Sequence, residues 1–359
     1  MHQELFKRCV GLLEQKFQDV VFVDVRDEER MTWARENPSA RVVVVCIYID
    51  DLNLFGAEPA LLDDLLRFFI AEYRRAGFPI KDSKTTWATQ ALRVLGVWVD
   101  LLGKRVTPMP KTLAFLFNRL PRLARTRRMV DRWALESVLG RLTWICLLRR
   151  PLLAGLGEVY KFVDTLIRKG EAKVWPEVRR ELLGMWGLLP LIQAKLVEDG
   201  ELVVASDATG SDQTGQAGVG VSYTRKFRLG RILETPWEEL RDKWAEQPWQ
   251  VAVQSSFKST CHVNLHEAVG LILAGRAALS HGANGRDARQ IILVDNTVVV
   301  GAATKGRSSS SGLNALLRRW AGFLLSQGWA TPKLRYIPTD LNPADGPSRA
   351  YRVHRRQEA

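Results

Sequence analysis

Two short hydrophobic runs that each deliver an aspartate constrain this chain most. Leu202-Val-Val-Ala205 leads to Asp207, and Ile291-Ile-Leu-Val294 leads directly to Asp295. Runs this short, rich in β-branched residues, read as buried strands. Carboxylates at the ends of such strands can converge at one edge of a sheet. Between the two runs Leu265 to Leu279 reads as a helix, and Glu267 falls in its first turn. Strands are also expected at Gly218–Tyr223, Phe227–Leu233 and Lys333–Ile337, with a hairpin turn over Gly210–Gly215. A tryptophan-bearing insert runs from Thr235 to Gln250, and Leu313–Leu325 reads as a helix. The β-β-β-α-β-α-β order predicts a mixed five-stranded sheet with flanking helices, an α/β fold, over residues 201–359.

A further acid, Asp345, lies in Asn342-Pro-Ala-Asp-Gly-Pro-Ser-Arg349, at the expected start of a C-terminal helix. Any one of the chain's 39 acidic residues would be unremarked alone, but the ordered set Asp207, Glu267, Asp295 and Asp345 is specific. Hard carboxylate oxygens suit Mg²⁺ or Mn²⁺. Two such ions roughly 4 Å apart serve phosphodiester hydrolysis, one activating water and one stabilising the leaving oxygen. Without cations the same cluster repels itself. These four residues are therefore the expected ligands and catalytic acids, with two Mg²⁺ or Mn²⁺ ions as cofactor.

Upstream, residues 1–103 mix strands and helices in an α+β pattern. Leu5, Cys9, Leu12, Leu13 and Phe17 repeat at helical spacing, and the charged stretch Arg26–Arg41 reads as a surface excursion. Val42–Ile49 reads as a buried strand, Pro59–Ala76 as a helix ended by Gly77, and Val94–Leu101 as a strand. Residues 104–200 are helical and basic. The stretch 104–169 holds 15 Lys/Arg against 4 Asp/Glu, so it supplies most of the net charge of +13. Such a balance favours a polyanionic partner, with nucleic acid first and an anionic membrane surface second. Arg125, Arg127, Arg128, Arg149 and Arg150 are the expected contacts here, joined by Lys305 and Arg307 in the serine-rich loop downstream. No apolar run approaches the ~18 residues of a membrane span. Cys9, Cys46, Cys146 and Cys261 form no CxxC pair, which favours a reducing compartment, nucleus or cytoplasm, over a disulfide framework.

At this point the wording resembles a known family. Asn264-Leu-His-Glu267, Val294-Asp-Asn-Thr297 and the Asn342–Arg349 segment resemble the acid motifs of the RNase H domain of retroelement polyproteins. Tyr48-Ile-Asp-Asp51 after its strand resembles the palm motif of reverse transcriptases, and Lys84 resembles the lysine near the incoming nucleotide. Glu136–Leu142 and Arg149-Arg-Pro151 resemble the thumb and connection of retrotransposon polymerases, with DIRS-like or gypsy-like elements as the subgroup. The resemblance implies metal-dependent cleavage of RNA in RNA–DNA hybrids, with Asp50 and Asp51 as further metal ligands. Partners would be hybrid, RNA or DNA, together with a further polymerase chain or a ribonucleoprotein.

Two departures bear on that expectation. The family's palm needs another metal-binding Asp on an earlier strand, and too few residues precede Asp50 here to hold it with the fingers region. The polymerase site is thus expected to be incomplete unless another chain completes it. Where many RNase H enzymes carry a mobile histidine before the last acid, this chain has Ile337-Pro-Thr-Asp340. The rival expectation is a domesticated, non-catalytic nucleic-acid-binding protein whose acids are idle.

Overall fold

The computed structural model describes residues 2–49, 51–210, 217–225, 232–233, 235–257, 261–282 and 288–354. It separates into two compact units, Met1–Gly103 and Lys104–Ala359.

In the first unit, α1 (His2–Lys16), β1 (Val20–Asp24), α2 (Glu28–Glu36), β2 (Arg41–Tyr48), β3 (Asp51–Phe55) and α3 (Pro59–Arg75) follow in order. The sheet runs β1-β2-β3, with β1 parallel and β3 antiparallel to β2. Phe6, Leu13, Phe22, Val45, Leu65 and Phe69 form its core, as the helical spacing in α1 and α3 predicts. The stretch read as a surface excursion is more ordered than expected. It contributes α2, capped by Asp27 accepting from the Arg30 amide, and no residue of α2 is buried. The single strand expected over Val94–Leu101 is instead the hairpin β4 (Ala91–Val94) and β5 (Val97–Asp100). Leu95 and Gly96 both take positive φ, 47° and 80°, the geometry of a tight two-residue hairpin turn.

The second unit begins with β6 (Arg105–Pro108), α4 (Pro110–Arg125), β7 (Met129–Asp131) and α5 (Arg132–Cys146). A 3₁₀ segment (Leu147–Leu156), α6 (Gly157–Lys169), β8 (Glu171–Lys173), α7 (Pro176–Leu188) and β9 (Ala194–Lys195) follow. The helices bury Leu116, Leu120, Leu142, Phe162, Val178 and Leu182 on one another.

The remainder holds β10 (Glu198–Ala208), β11 (Gly218–Thr224), α8 (Trp237–Ala245), β12 (Gln250–Ser256) and α9 (Val263–Ser280). Then come β13 (Ala288–Val294), α10 (Thr297–Lys305), α11 (Ser311–Ser326), β14 (Lys333–Tyr336) and α12 (Asp345–His354). Among the described residues they make a five-stranded sheet in the order β12-β11-β10-β13-β14. β10 is antiparallel to β11 and parallel to β13, and β14 is parallel to β13. This mixed sheet flanked by helices is the α/β fold expected from the order of patterns. Alternate residues of β10 enter different cores. Leu202 and Val204 pack with Leu271 and Trp320, whereas Val203 and Ala205 pack with Trp244 and Ile337. The two central strands are therefore covered on both faces, which is why their sequences read as unbroken apolar runs.

The strand expected at Phe227–Leu233 and the turn expected over Gly210–Gly215 lie mostly outside the described residues. Residues 211–215 and 227–231 are not among them, and Ile232-Leu233 are helical. The third antiparallel strand is β12, which lies at the sheet edge with most of its side chains exposed. An edge strand needs no buried face, so its sequence carries little periodic signal. The tryptophan insert packs into the core, with Trp244 buried and Trp237 and Trp249 against it. The Trp237 and Trp244 ring N–H groups donate to the Tyr336 and Leu341 carbonyls at 2.9 and 2.8 Å, pinning the segment that leads to Asp345.

The helical and sheet portions of this unit are tied by close backbone contact. Gly306 ends α10 in the left-handed conformation, φ 77°. A Cβ there would stand 1.9 Å from the Arg150 carbonyl oxygen, so only glycine fits.

Candidate metal centre

Asp207 and Asp295 leave neighbouring parallel strands at the same level, because Ser206 of β10 pairs with Val294 of β13. Glu267 comes from α9, one turn in from its N-cap His262 and so slightly later than expected. One oxygen from each of Asp207, Glu267 and Asp295 lies within 4.8 Å of the others. No other His, Cys, Asp or Glu trio among the described residues is gathered like this. Asp295 is steadied by the residue after it. Asn296 caps α10 by accepting from the Val299 amide at 3.1 Å, and its Nδ2 donates to Asn264 of α9 at 2.9 Å.

The electrostatics are those of a site waiting for positive charge. Burial, then Asp295 and Asp207, pushes the Glu267 carboxyl up to about 9. Burial and Asp295 raise Asp207 to about 6, against the Ser348 hydroxyl and Arg349, which favour its charged form. Glu267 Oε2 and Asp295 Oδ1 are buried without a hydrogen-bond partner. Buried carboxylate oxygens that lack donors fit a hard divalent cation, which would satisfy the orphaned oxygens and cancel the repulsion.

Asp345 stands beside the trio rather than within it. It opens α12, pairs with Arg349 at 2.5 Å, and is raised chiefly by burial, with Asp207 adding to the shift and Arg349 opposing it. Asp340, in the place where a histidine was sought, is bound to Arg241 at 2.8 Å. Contacts that periodicity alone did not show come from the same C-terminal segment. The Ser348 hydroxyl donates to Asp207 Oδ2, and Asn342 Nδ2 donates to the Ser206 carbonyl at 3.1 Å.

The expected nucleic-acid contacts divide. Arg125, Arg127, Arg128, Arg150 and Lys305 are exposed, and the Arg307 guanidinium lies 4.8 Å from the centre of the Tyr160 ring. Arg149 is a correction. It is only 5% exposed and its guanidinium donates to the Gln193 carbonyl at 2.7 Å and to the Trp329 carbonyl, so it is a structural tie and not a phosphate contact. Its position in a run of basic residues gave no sign of this. In the first unit Asp51 and Lys84 are exposed, and Asp50 lies outside the described residues. A cavity of about 1300 Å³ separates α6 and α7 from α10 and α11. Thr297 and Val298, next to Asp295, line it together with Lys305, Arg307, Tyr160 and Lys161.

The raised carboxyls set a pH dependence whose sign is fixed. Asp207 and Glu267 hold protons more tightly in the folded chain than their ordinary values of 3.8 and 4.5. Without metal, the stability they permit is present below those values and is lost as pH rises through about 6 and then about 9. A cation replaces the protons, so the rise in Tm on adding Mg²⁺ is expected to grow from pH 5 to pH 9. Thermal unfolding in EDTA and in Mg²⁺ across that range measures it, and a shift independent of pH would contradict the buried trio.

No protein-family model and no curated protein matches the sequence. Among solved structures, the N-terminal RNase H domain of a Mycobacterium tuberculosis protein, fused to maltose-binding protein, aligns at 20% identity. That alignment covers 44% of this chain and 96% of that one, with a TM-score of 0.29. RNase H1 of the halophilic archaeon Halobacterium salinarum aligns at 16% identity over 40% of this chain and 91% of that one, TM-score 0.29. A foamy viral protease–reverse transcriptase solved with double-stranded DNA aligns at 14% identity over 86% of this chain, TM-score 0.36. The alignment covers 47% of that longer protein.

Proposed function

We propose that this chain is a metal-dependent endonuclease that cuts the RNA strand of RNA–DNA hybrids, derived from a retroelement polyprotein. The observation that carries the reading is the trio Asp207, Glu267 and Asp295, the first two buried and the third half-buried, gathered within 4.8 Å with orphaned oxygens on Glu267 and Asp295. Mutual repulsion and desolvation make such a cluster costly unless cations complete it.

Asp207, Glu267 and Asp295 would hold the ions, with Asp345 supplying a further carboxylate from the edge. Two bound divalent ions would supply activation of the attacking water and stabilisation of the leaving oxygen. The protein's own part is positional. β10 and β13 fix Asp207 and Asp295 on adjacent rigid strands, and α9 brings Glu267 over them. Lys305 and Arg307, in the groove that Thr297 and Val298 also line, would meet a phosphate backbone, while Glu158, Asp164, Glu177 and Glu181 on its α6 and α7 wall would keep it to the α10 side.

The test is incubation of the purified chain with a labelled RNA–DNA hybrid in Mg²⁺ or Mn²⁺. Metal-dependent cuts in the RNA strand are expected, and none in EDTA. Failure to cut in either metal would leave the non-catalytic binding reading in place.

Binding itself is expected to be salt-dependent and sequence-tolerant. Replacing Arg125, Arg127 and Arg128 together by Ala removes up to three phosphate contacts. Each lost contact flattens the slope of log K against log salt by about 0.9 on duplex DNA. Titrations at several salt concentrations on unrelated sequences check this. An unchanged affinity and slope would show that these arginines are merely solvated.

A further inference from the structure

The C-terminal segment does more at the acid cluster than deliver Asp345. Asn342, buried, donates from Nδ2 to the carbonyl of Ser206, the residue before Asp207. Its Oδ1 accepts from the Ala344 amide at 3.1 Å, and Ser222 of β11 donates to the Pro343 carbonyl at 3.0 Å. Ser348, with no exposed surface, then reaches the Asp207 carboxylate itself. One segment therefore grips the backbone just before Asp207 and also its side chain.

We infer that Ser348 is a positioning residue of the metal centre, its hydroxyl holding the Asp207 carboxylate in the rotation that cation binding requires. The hydroxyl has one proton and two acceptors in reach, Asp207 Oδ2 and the Asp345 carbonyl at 2.9 Å. The carboxylate is the stronger acceptor, since a hydrogen bond to an ionised group is roughly twice as strong as a neutral one. Asp207 and Asp295 repel each other without cations, so an unrestrained Asp207 would swing to relieve the repulsion. Ser348 removes that freedom at no cost in charge. A lysine or arginine in its place would neutralise Asp207 and weaken the hold on a cation. A serine that merely satisfied the first turn of α12 would have needed only the Asp345 carbonyl.

The consequence for cleavage rests on the nuclease reading, but the consequence for cation binding does not. The experiment is Mn²⁺ binding to the full chain, followed by electron paramagnetic resonance of free Mn²⁺. Asp207→Asn serves to identify binding at this centre, and hybrid cleavage is titrated with Mg²⁺ in parallel. Ser348→Ala is expected to weaken Mn²⁺ binding about tenfold, the lower end of what outer partners of metal ligands cost. The Mg²⁺ needed for half-maximal cleavage rises in step, and the rate at saturating Mg²⁺ recovers. Ser348→Cys, a weaker donor of similar size, falls between the two. A purely structural serine would lower Tm without moving the Mn²⁺ constant, and an Ala variant that binds Mn²⁺ like wild type overturns the proposal. Should the Ala variant not fold, the Cys variant decides in the same way, with unchanged binding overturning it. Wild type that binds Mn²⁺ through Asp207 but cuts no hybrid would sink the nuclease reading and leave the Ser348 test intact. Wild type that binds no Mn²⁺ at this centre overturns both.

Discussion

Asp207→Asn is expected to reduce hybrid cleavage about a thousandfold, roughly 4 kcal/mol at 1.4 kcal/mol per decade. The substitution keeps the side chain's shape and removes one of the charges that would hold the proposed cations, and bound cations contribute several kcal/mol in such reactions. It leaves the basic surface alone, so hybrid binding in EDTA should be unchanged. The same change should raise Tm in EDTA, because it removes a charge that burial and Asp295 both disfavour. Loss of activity together with gain of metal-free stability is the signature of a group kept for function against the preference of the fold. Single-turnover cleavage and thermal unfolding of the same preparation test both halves. Equal cleavage by wild type and variant would end the claim that this centre does the cutting.

The second large effect is expected at Gly220, which faces Asp207 across the β10–β11 pair. A Cβ at this position would lie 2.3 Å from the Ala344 carbonyl oxygen and 2.6 Å from the Ser348 amide nitrogen. Both are backbone atoms, so no side-chain rotation relieves the clash. Gly220→Ala should lift the start of α12 away from the sheet, at a cost of about 3 kcal/mol of stability, the upper end of ordinary overpacking. Asp345 and Ser348 move with it, and a displacement near 1 Å is enough for a loss of about a hundredfold in rate. Urea unfolding and hybrid cleavage measure the two effects. A stable and fully active Ala variant would mean that α12 does not rest on β11 as described.

How much of this was legible depends on where the information sits. Leu202–Ala205 and Ile291–Val294 announce themselves because each residue is apolar in its own right and both faces of their strands are covered. Glu267 was placed nearly correctly because α9, Val263–Ser280, begins and ends within two residues of the expected helix. β12 was missed because Gln250–Ser256 buries almost nothing. The role of Arg149 could not be read locally, since its acceptors lie 44 and 180 residues away. Asp345 was marked by its place in the order of acids and at an expected helix start, and its pairing with Arg349 appears only in the fold. The contact between Ser348 and Asp207 spans 141 residues, although the wording of the Asn342–Arg349 segment marked it as a place to look.

The seam between the basic helices and the five-stranded sheet has a consequence for how the proposed nuclease would measure its substrate. Arg149 is bonded to backbone on both sides of it, Ala154 of the 3₁₀ segment belongs to the sheet's core, and Gly306 rests its α-carbon against the Arg150 carbonyl. Such contacts leave no room for a hinge, because close-packed backbone cannot slide without breaking them. For the proposed nuclease, the arginines that grip a duplex and the acids that cut it are then two marks on one ruler. The spacing of cuts from a gripped end would be a property of the folded chain, set by a buried guanidinium and a glycine rather than by substrate sequence.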